Sequence, residues 1–367
     1  MKYYLIAGEA SGDLQGAALI EALKQEDPNA SFRFWGGDLM AAAAGTTPVV
    51  HQKERAFMGL WEVIRHLGSI RKHLKLCKAD ILNWNPDIVI PIDHPGFNMR
   101  IAAFTKNHGF KVAYFIAPKA WAWKKKRAFT LAKVTDLVLS ILPFEPAFFA
   151  PYQAPVRYIG NPLWDQISAF QADPAFLQRN ALEKPVIALL PGSRRQEIVR
   201  ILPTMIEAAL RLEDCEVAIA CAPDFPPEFY QRFIAPHPSI RLLSGETYQL
   251  LSHAQAALVA SGTATLEAAL LNCPQVVCYR TSALTYHAAK RLLKIKYISL
   301  VNLIMNRLVV RERIQNEMNP EILEQDLRRL LEPDHALQLK ADYEALRMKM
   351  GNPGAAQRAA SEILKLV

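Results

Sequence analysis

Three stretches of this sequence carry residues that could bind an anion or move a proton, and each follows an apolar run. In 256–271, AALVASGTATLEAALL, small apolar residues give way to Ser261-Gly262-Thr263, then to Leu266, Ala269 and Leu270 at helical spacing. A strand, a Gly turn and a helix start bring free backbone N–H groups to one point, which suits a phosphate. Thr263 reads as the N-cap, and Glu267, one turn in, is placed to reach a ribose diol beside the phosphates. The plainer alternative is an ordinary strand-to-helix turn. The second stretch, 186–197, ends in Pro191-Gly192-Ser193-Arg194-Arg195-Gln196-Glu197. Here Gly192 lets the backbone approach a ligand, and Arg194 can meet a phosphate bidentately. The third, 87–98, ends in Asp93-His94-Pro95-Gly96-Phe97-Asn98. Carboxyl ends of parallel strands line the ligand crevice, so Asp93 is a candidate general base, set against the commoner use of Asp in turns and caps.

Such loops need strands and helices to hold them. Residues 3–7, 32–35, 87–92, 111–116 and 136–141 read as buried parallel strands, followed by a run at 156–159. After a break at Gly160-Asn161-Pro162, a second series reads at 186–190, 216–221, 240–243, 257–260 and 275–279. Residues 283–294 and most of 320–367 have helical patterns. The expected fold class is α/β, with two Rossmann-like domains facing a cleft, one for a nucleotide-sugar donor and one for an acceptor. Their bounds are 1–160, a linker at 161–183, and 184–340, with the C-terminal helices at 341–367. The glycines at 8, 12 and 16 are spaced G-x-x-x-G-x-x-x-G, not G-x-G-x-x-G, so no dinucleotide site is expected there. That loop reads as a close-approach turn, and Glu9, Ser11 and Gly12 join Asp93, Phe97 and Asn98 as the acceptor-side set.

The chain has 367 residues, long for one domain, and a net charge of +8, which favours anionic partners: nucleic acid, a membrane surface or phosphorylated substrates. Its five cysteines are scattered and odd in number, which fits a reducing cytoplasm and no disulfide framework. The N-terminus does not read as a signal peptide, and no long uncharged window predicts a membrane span. No Asp-x-Asp occurs, so neither a metal-bridged diphosphate nor a cofactor is expected. Residues 59–78 read as a helix whose basic remainder includes Arg71, Lys72 and Lys75, with Phe57, Met58 and Trp61 at its start. It is either a crossover helix packed on the sheet or a membrane-surface helix. Trp121, in the run WAWKKKR, could sit at a lipid headgroup layer or on nucleic acid, or simply start a solvated helix.

Taken together, IAGEASGD at 6–13, PIDHPGFN at 91–98, WAWKKKR at 121–127, LPFE at 142–145, LLPGSRRQE at 189–197 and ASGTATLEAAL at 260–270 resemble the lipid-A-disaccharide synthase family. The resemblance implies an inverting GT-B glycosyltransferase that joins UDP-2,3-diacylglucosamine to 2,3-diacylglucosamine 1-phosphate. The products would be UDP and a β-1,6 disaccharide. It also implies last helices that return to the N-terminal domain, and a peripheral place on the cytoplasmic face of the inner membrane. By position, Asp93 matches the family's strand-end Asp, Arg194 the Arg of P-G-S-R, Glu267 the donor-side Glu, and Asn302 the Asn after Y-x-S-L. Gly96 stands where many members have a second Asp, Lys119 where a Gln is usual, and Asn161 in place of a common His. The partners implied are the two lipid substrates, an anionic membrane surface and a possible homodimer, with no nucleic acid. The rival readings are a UDP-N-acetylglucosamine 2-epimerase on the same fold, and a non-catalytic basic protein binding nucleic acid or membrane.

Overall fold

A computed structural model describes residues 1–55, 67–123, 125–282, 286 and 296–367. The chain divides into two compact units, Met1–Asp165 with Pro353–Val367, and Gln166–Asn352.

The first unit is built on seven parallel strands: β1 (Lys2–Ile6), β2 (Ser31–Gly36), β3 (Val50–His51), β4 (Ile88–Pro91), β5 (Lys111–Phe115), β6 (Leu137–Ser140) and β7 (Val156–Tyr158). Their order is β3-β2-β1-β4-β5-β6-β7. The strands are apolar throughout because both faces are covered, and alternate residues enter different cores. Tyr3 and Leu5 pack with Leu19, Ile20 and Leu23 of the helix Ala10–Glu26. Tyr4 and Ile6 pack on the other face with Cys77 and Ile81 of the helix Leu67–Trp84. That helix runs past the expected end at Lys78, and its buried stripe makes it a crossover element with Arg71, Lys72 and Lys75 on the exposed side. The expected membrane contacts Phe57, Met58 and Trp61 lie outside the described residues, as does nearly all of 283–294. Asp13, in the first turn of the helix Ala10–Glu26, is buried and accepts N–H bonds from Gly37, Leu39 and Met40, so it caps the helix Asp38–Ala44.

The second unit has six parallel strands: β8 (Val186–Leu190), β9 (Glu216–Cys221), β10 (Arg241–Ser244), β11 (Ala256–Ala260), β12 (Gln275–Tyr279) and β13 (Arg311–Ile314), ordered β10-β9-β8-β11-β12-β13. Neither β3 nor β13 was legible as a strand. The former is two residues long, and the latter reads Arg-Glu-Arg-Ile. Its arginines are neutralised by the buried Asp326, at 2.5 Å from Arg311 and 2.6 Å from Arg313.

Of the C-terminal helices expected to return, Pro333–Met350 belongs to the second unit and Ala355–Leu364 to the first. Asp165 fixes the start of the last helix, accepting the Gly354 and Ala355 N–H groups at 2.8 Å each. Among the described residues no helix is long and apolar enough to cross a membrane.

Candidate functional site

Both sheets reverse their strand order once, and a reversal leaves a crevice at the carboxyl ends of the two strands that flank it. In the second unit these strands are β8 and β11. The loop after β8 is Pro191–Arg194 and the turn after β11 is Ser261–Thr263. Together they line a cavity of about 440 Å³ that Gly192, Ser193, Arg194, Ser261, Gly262, Thr263 and Glu267 all reach.

Gly192 has φ +101°, and a Cβ there would stand 2.9 Å from Glu197 Oε2 and 3.4 Å from the Ala260 Cβ. Only glycine takes that turn without strain. Arg194 ends the loop in extended backbone at the start of the helix Arg195–Leu210. Its side chain is 77% exposed and pairs with Glu197 at 3.3 Å. A solvated pair of this kind is worth little, so the guanidinium can turn to an incoming anion at small cost.

Thr263 holds the N-cap position that the sequence suggested, but without the side-chain bond of a cap. It has helical angles (φ −61°, ψ −31°) and its side chain caps nothing. The Thr265 hydroxyl closes the turn instead, donating to Gly262 O at 2.8 Å. Glu267 lies one turn into that helix, and burial alone raises its carboxyl pKa from the usual 4.5 to about 7. Beside it, Tyr248 also has its pKa raised, by burial first and then by the Glu267 charge. Thr247, Tyr248 and Glu197 line the cavity as well but were not picked out from sequence. The first two follow Ser244-Gly245 at the end of β10, the same strand–Gly–helix signal.

Asn302, grouped with the donor residues by resemblance, is not among the cavity's lining. Its amide is fully buried and fully bonded. It donates to Val310 O (2.8 Å) and Glu312 Oε1 (2.9 Å), and accepts from the N–H groups of Val309 (2.7 Å) and Val310 (3.0 Å). No capacity is left for a ligand, so its part in the site is internal.

In the first unit the reversal lies between β1 and β4, and it brings the loop after β1 to the loop after β4. Asp93 and His94 both have positive φ, +42° and +43°. Such backbone persists only where its surroundings hold it. Here the Tyr114 hydroxyl donates to Asp93 O at 2.6 Å, and the Asn98 amide donates to the carbonyls of Ile6, Ile92 and Asp93. Burial is the main cause that raises the Asp93 carboxyl pKa. Lys119 opposes the shift, and Glu9 adds to it. Glu9 is 66% exposed on its side chain and 3.4 Å from His94 Nδ1. A Cβ on Gly8 would lie 2.7 Å from His94 Cγ, so that glycine makes room for the imidazole.

Three of the expected acceptor residues have other duties. Phe97 is buried against Trp35, at 5.9 Å between ring centroids. Asn98 is wholly buried and holds backbone. Gly12 is buried, and a Cβ on it would come within 3.3 Å of Ala7, so its smallness serves helix-on-strand packing. Ser11 is exposed in the first turn of the helix Ala10–Glu26, just after Glu9 at its N-cap. Trp121 is half-buried, donates to the buried Glu145 at 3.1 Å and packs edge-on against Phe144. It therefore anchors its loop, and the headgroup contact expected of it has at most the remaining ring edge.

A family model described as lipid-A-disaccharide synthetase matches residues 3–366. The chain is 38% identical to the lipid-A-disaccharide synthase of Myxococcus xanthus, over 99% of this chain and 97% of the relative. It is 37% identical to that of Syntrophus aciditrophicus, over the same shares. Among solved structures it is similar to an S. aureus MnaA–UDP complex, with TM-score 0.68 and 14% identity over 99% of this chain and 95% of the other.

Proposed function

This chain belongs to the lipid-A-disaccharide synthetase family, so it is a glycosyltransferase that forms the lipid A disaccharide, and we propose how its residues divide that work. The epimerase and the non-catalytic reading are not favoured, because the family match runs through nearly the whole chain. The donor is a UDP-sugar, and the second unit holds it. The N–H groups of the Ser261–Thr263 turn and the Arg194 guanidinium receive the diphosphate, and Glu267 takes the ribose diol. As the sugar leaves, the same groups stabilise the charge that collects on UDP. The observation that carries this reading is the cavity at the β8/β11 reversal, where both loops and Glu267 converge.

In the first unit, Asp93 is the base that takes the proton from the acceptor's 6-hydroxyl as its oxygen attacks the anomeric carbon. A carboxyl pKa raised by burial makes it a better proton acceptor than an ordinary Asp, and its strained, tightly held backbone fixes its aim. The proposed substrates are UDP-2,3-diacylglucosamine and 2,3-diacylglucosamine 1-phosphate. Their acyl chains must be drawn from a bilayer, so the enzyme works as a peripheral protein on the inner face of the inner membrane. Exposed Arg71, Lys72 and Lys75 would contribute about 1 kcal/mol each near anionic lipid.

The test is UDP release from the diacylated UDP-glucosamine, with and without the monosaccharide 1-phosphate. Release that depends on the acceptor and yields a disaccharide supports the reading. Acceptor-independent release, or turnover of unacylated UDP-sugars alone, overturns it.

A further inference from the structure

Ser261 does more than line the cavity. Its hydroxyl donates to Ile298 O at 3.1 Å, so the turn is tied to a segment far along the chain. The Ile298–Ser299 peptide that receives this bond is itself gripped from the other side. The Ser299 N–H donates to Glu312 Oε1 at 2.9 Å, and the Ile298 N–H lies 3.0 Å from Oε2. Asn302 Nδ2 adds a further donor to the same carboxylate at 2.9 Å. A peptide group is planar and trans, so its C=O and N–H point in opposite directions. Holding the Ser299 N–H therefore sets where the Ile298 carbonyl points, and hence where the Ser261 hydroxyl is held. Glu312 sits on β13, away from the cavity lining, and its neighbours Arg311 and Arg313 are committed to Asp326.

We propose that Glu312 is a positioning residue for the donor nucleotide. Through the Ile298–Ser299 peptide it fixes the Ser261 turn whose N–H groups receive the diphosphate. The same network accounts for Asn302, which braces Glu312 from behind and does not touch the ligand. The proposal rests on the reading of the cavity as the UDP site. It is distinct from the roles of the lining residues, because Glu312 acts through a hydrogen-bond chain that ends at one of them.

The experiment is a double-mutant cycle read by calorimetric titration with UDP on the full-length protein, using Glu312→Gln, Ser261→Ala and the pair. The Gln amide places an NH2 against N–H donors and should raise the UDP dissociation constant about tenfold, the size of one lost bond to a charged group. Ser261→Ala should weaken binding by a smaller factor. The pair should bind UDP about as Glu312→Gln alone, because both changes cut one chain. Factors that multiply in the pair overturn the proposal. So does a Glu312→Gln protein with a lowered melting temperature but unchanged UDP affinity, since that is a purely structural role. Should Glu312→Gln not fold, Glu312→Asp carries the same cycle, with the same two outcomes. Wild-type protein that does not bind UDP would instead overturn the nucleotide reading of the cavity, which separates the two failures.

Discussion

Replacing Glu267 by Gln should make the protein more stable at alkaline pH while weakening its hold on UDP. Among the described residues nothing neutralises this carboxyl, and burial alone raises its pKa from 4.5 to about 7. The folded state thus binds the proton more tightly than the unfolded chain does. Stability is highest in acid and falls as the pH rises from about 4.5 through about 7. At about 1.4 kcal/mol per pKa unit, the full difference is roughly 3 kcal/mol, and partial solvation of the side chain reduces it to about 2. Gln has the same shape and does not titrate. The variant should match wild type near pH 5 and exceed it by about 2 kcal/mol at pH 8.5, or roughly 4–8 °C in melting temperature for a unit of this size. Thermal unfolding followed across pH, without and with UDP, reads the effect. In wild type, UDP should flatten the pH dependence, because ribose hydroxyls donate to the ionised carboxylate. The variant should lose about tenfold in affinity for both UDP and uridine. Parallel stability–pH curves for the two proteins would show that the carboxyl is not strained in the empty site. Unchanged uridine affinity would remove Glu267 from the ribose.

Asp93→Asn should lower turnover by about 10²–10⁴ with UDP affinity near wild type, and a variant with normal kcat would remove Asp93 from the mechanism. In wild type, kcat/KM should rise with pH along a limb lying above the ordinary Asp range, since burial raises this carboxyl's pKa. Arg194→Ala should weaken UDP more than uridine, whereas an equal loss for both would place the guanidinium away from the diphosphate. Glu145→Gln, in the first unit, should abolish the fall in stability that wild type shows as the pH rises through about 7, where burial is the chief cause of the raised carboxyl pKa. The same change should lower stability in acid, because its amide nitrogen then faces the Trp121 or Leu142 N–H, and UDP titration should be unaffected. Replacing Arg71, Lys72 and Lys75 by Gln should weaken co-sedimentation with anionic vesicles and make it less dependent on salt. Unchanged sedimentation would place the membrane surface elsewhere.

The strand ends were legible because parallel strands covered on both faces are written as unbroken apolar runs, and a Gly or Asp at their ends marks where the backbone must turn. That pattern pointed to Asp93, Gly192, Arg194, Ser261 and Glu267, and the structure sets the last four on one cavity. What a polar side chain does once the chain is folded was not legible. Asn98 reads as a ligand contact from its place in a strand-end loop, and Asn302 from resemblance alone, yet both are buried: Asn98 spends its amide nitrogen on three backbone carbonyls, and Asn302 bonds Val309, Val310 and Glu312. Their partners lie beyond any local window. Thr263 stands at the N-cap, but its side chain bonds nothing there for a local reason: the turn takes helical angles one residue early, and Thr265 closes it. Tyr248 was missed because an aromatic at the start of a short helix has no distinctive neighbours until β10 brings it beside Glu267.

The last helix has a consequence for how the protein is made. Ala355, Ala359, Ala360 and Ile363 belong to the same core as Leu5, Leu19 and Ile20, although they are synthesised only after the whole of the second unit. The second unit, by contrast, is one unbroken stretch from Gln166 to Asn352, inserted into the first. On the ribosome the inserted unit can therefore complete its fold while the N-terminal sheet, synthesised earlier, still has an uncovered face. Until the helix Ala355–Leu364 emerges, that half of the protein is the one exposed to aggregation and to chaperones. A stop codon shortly before Pro353 would leave the inserted unit intact and strip the older half of part of its core.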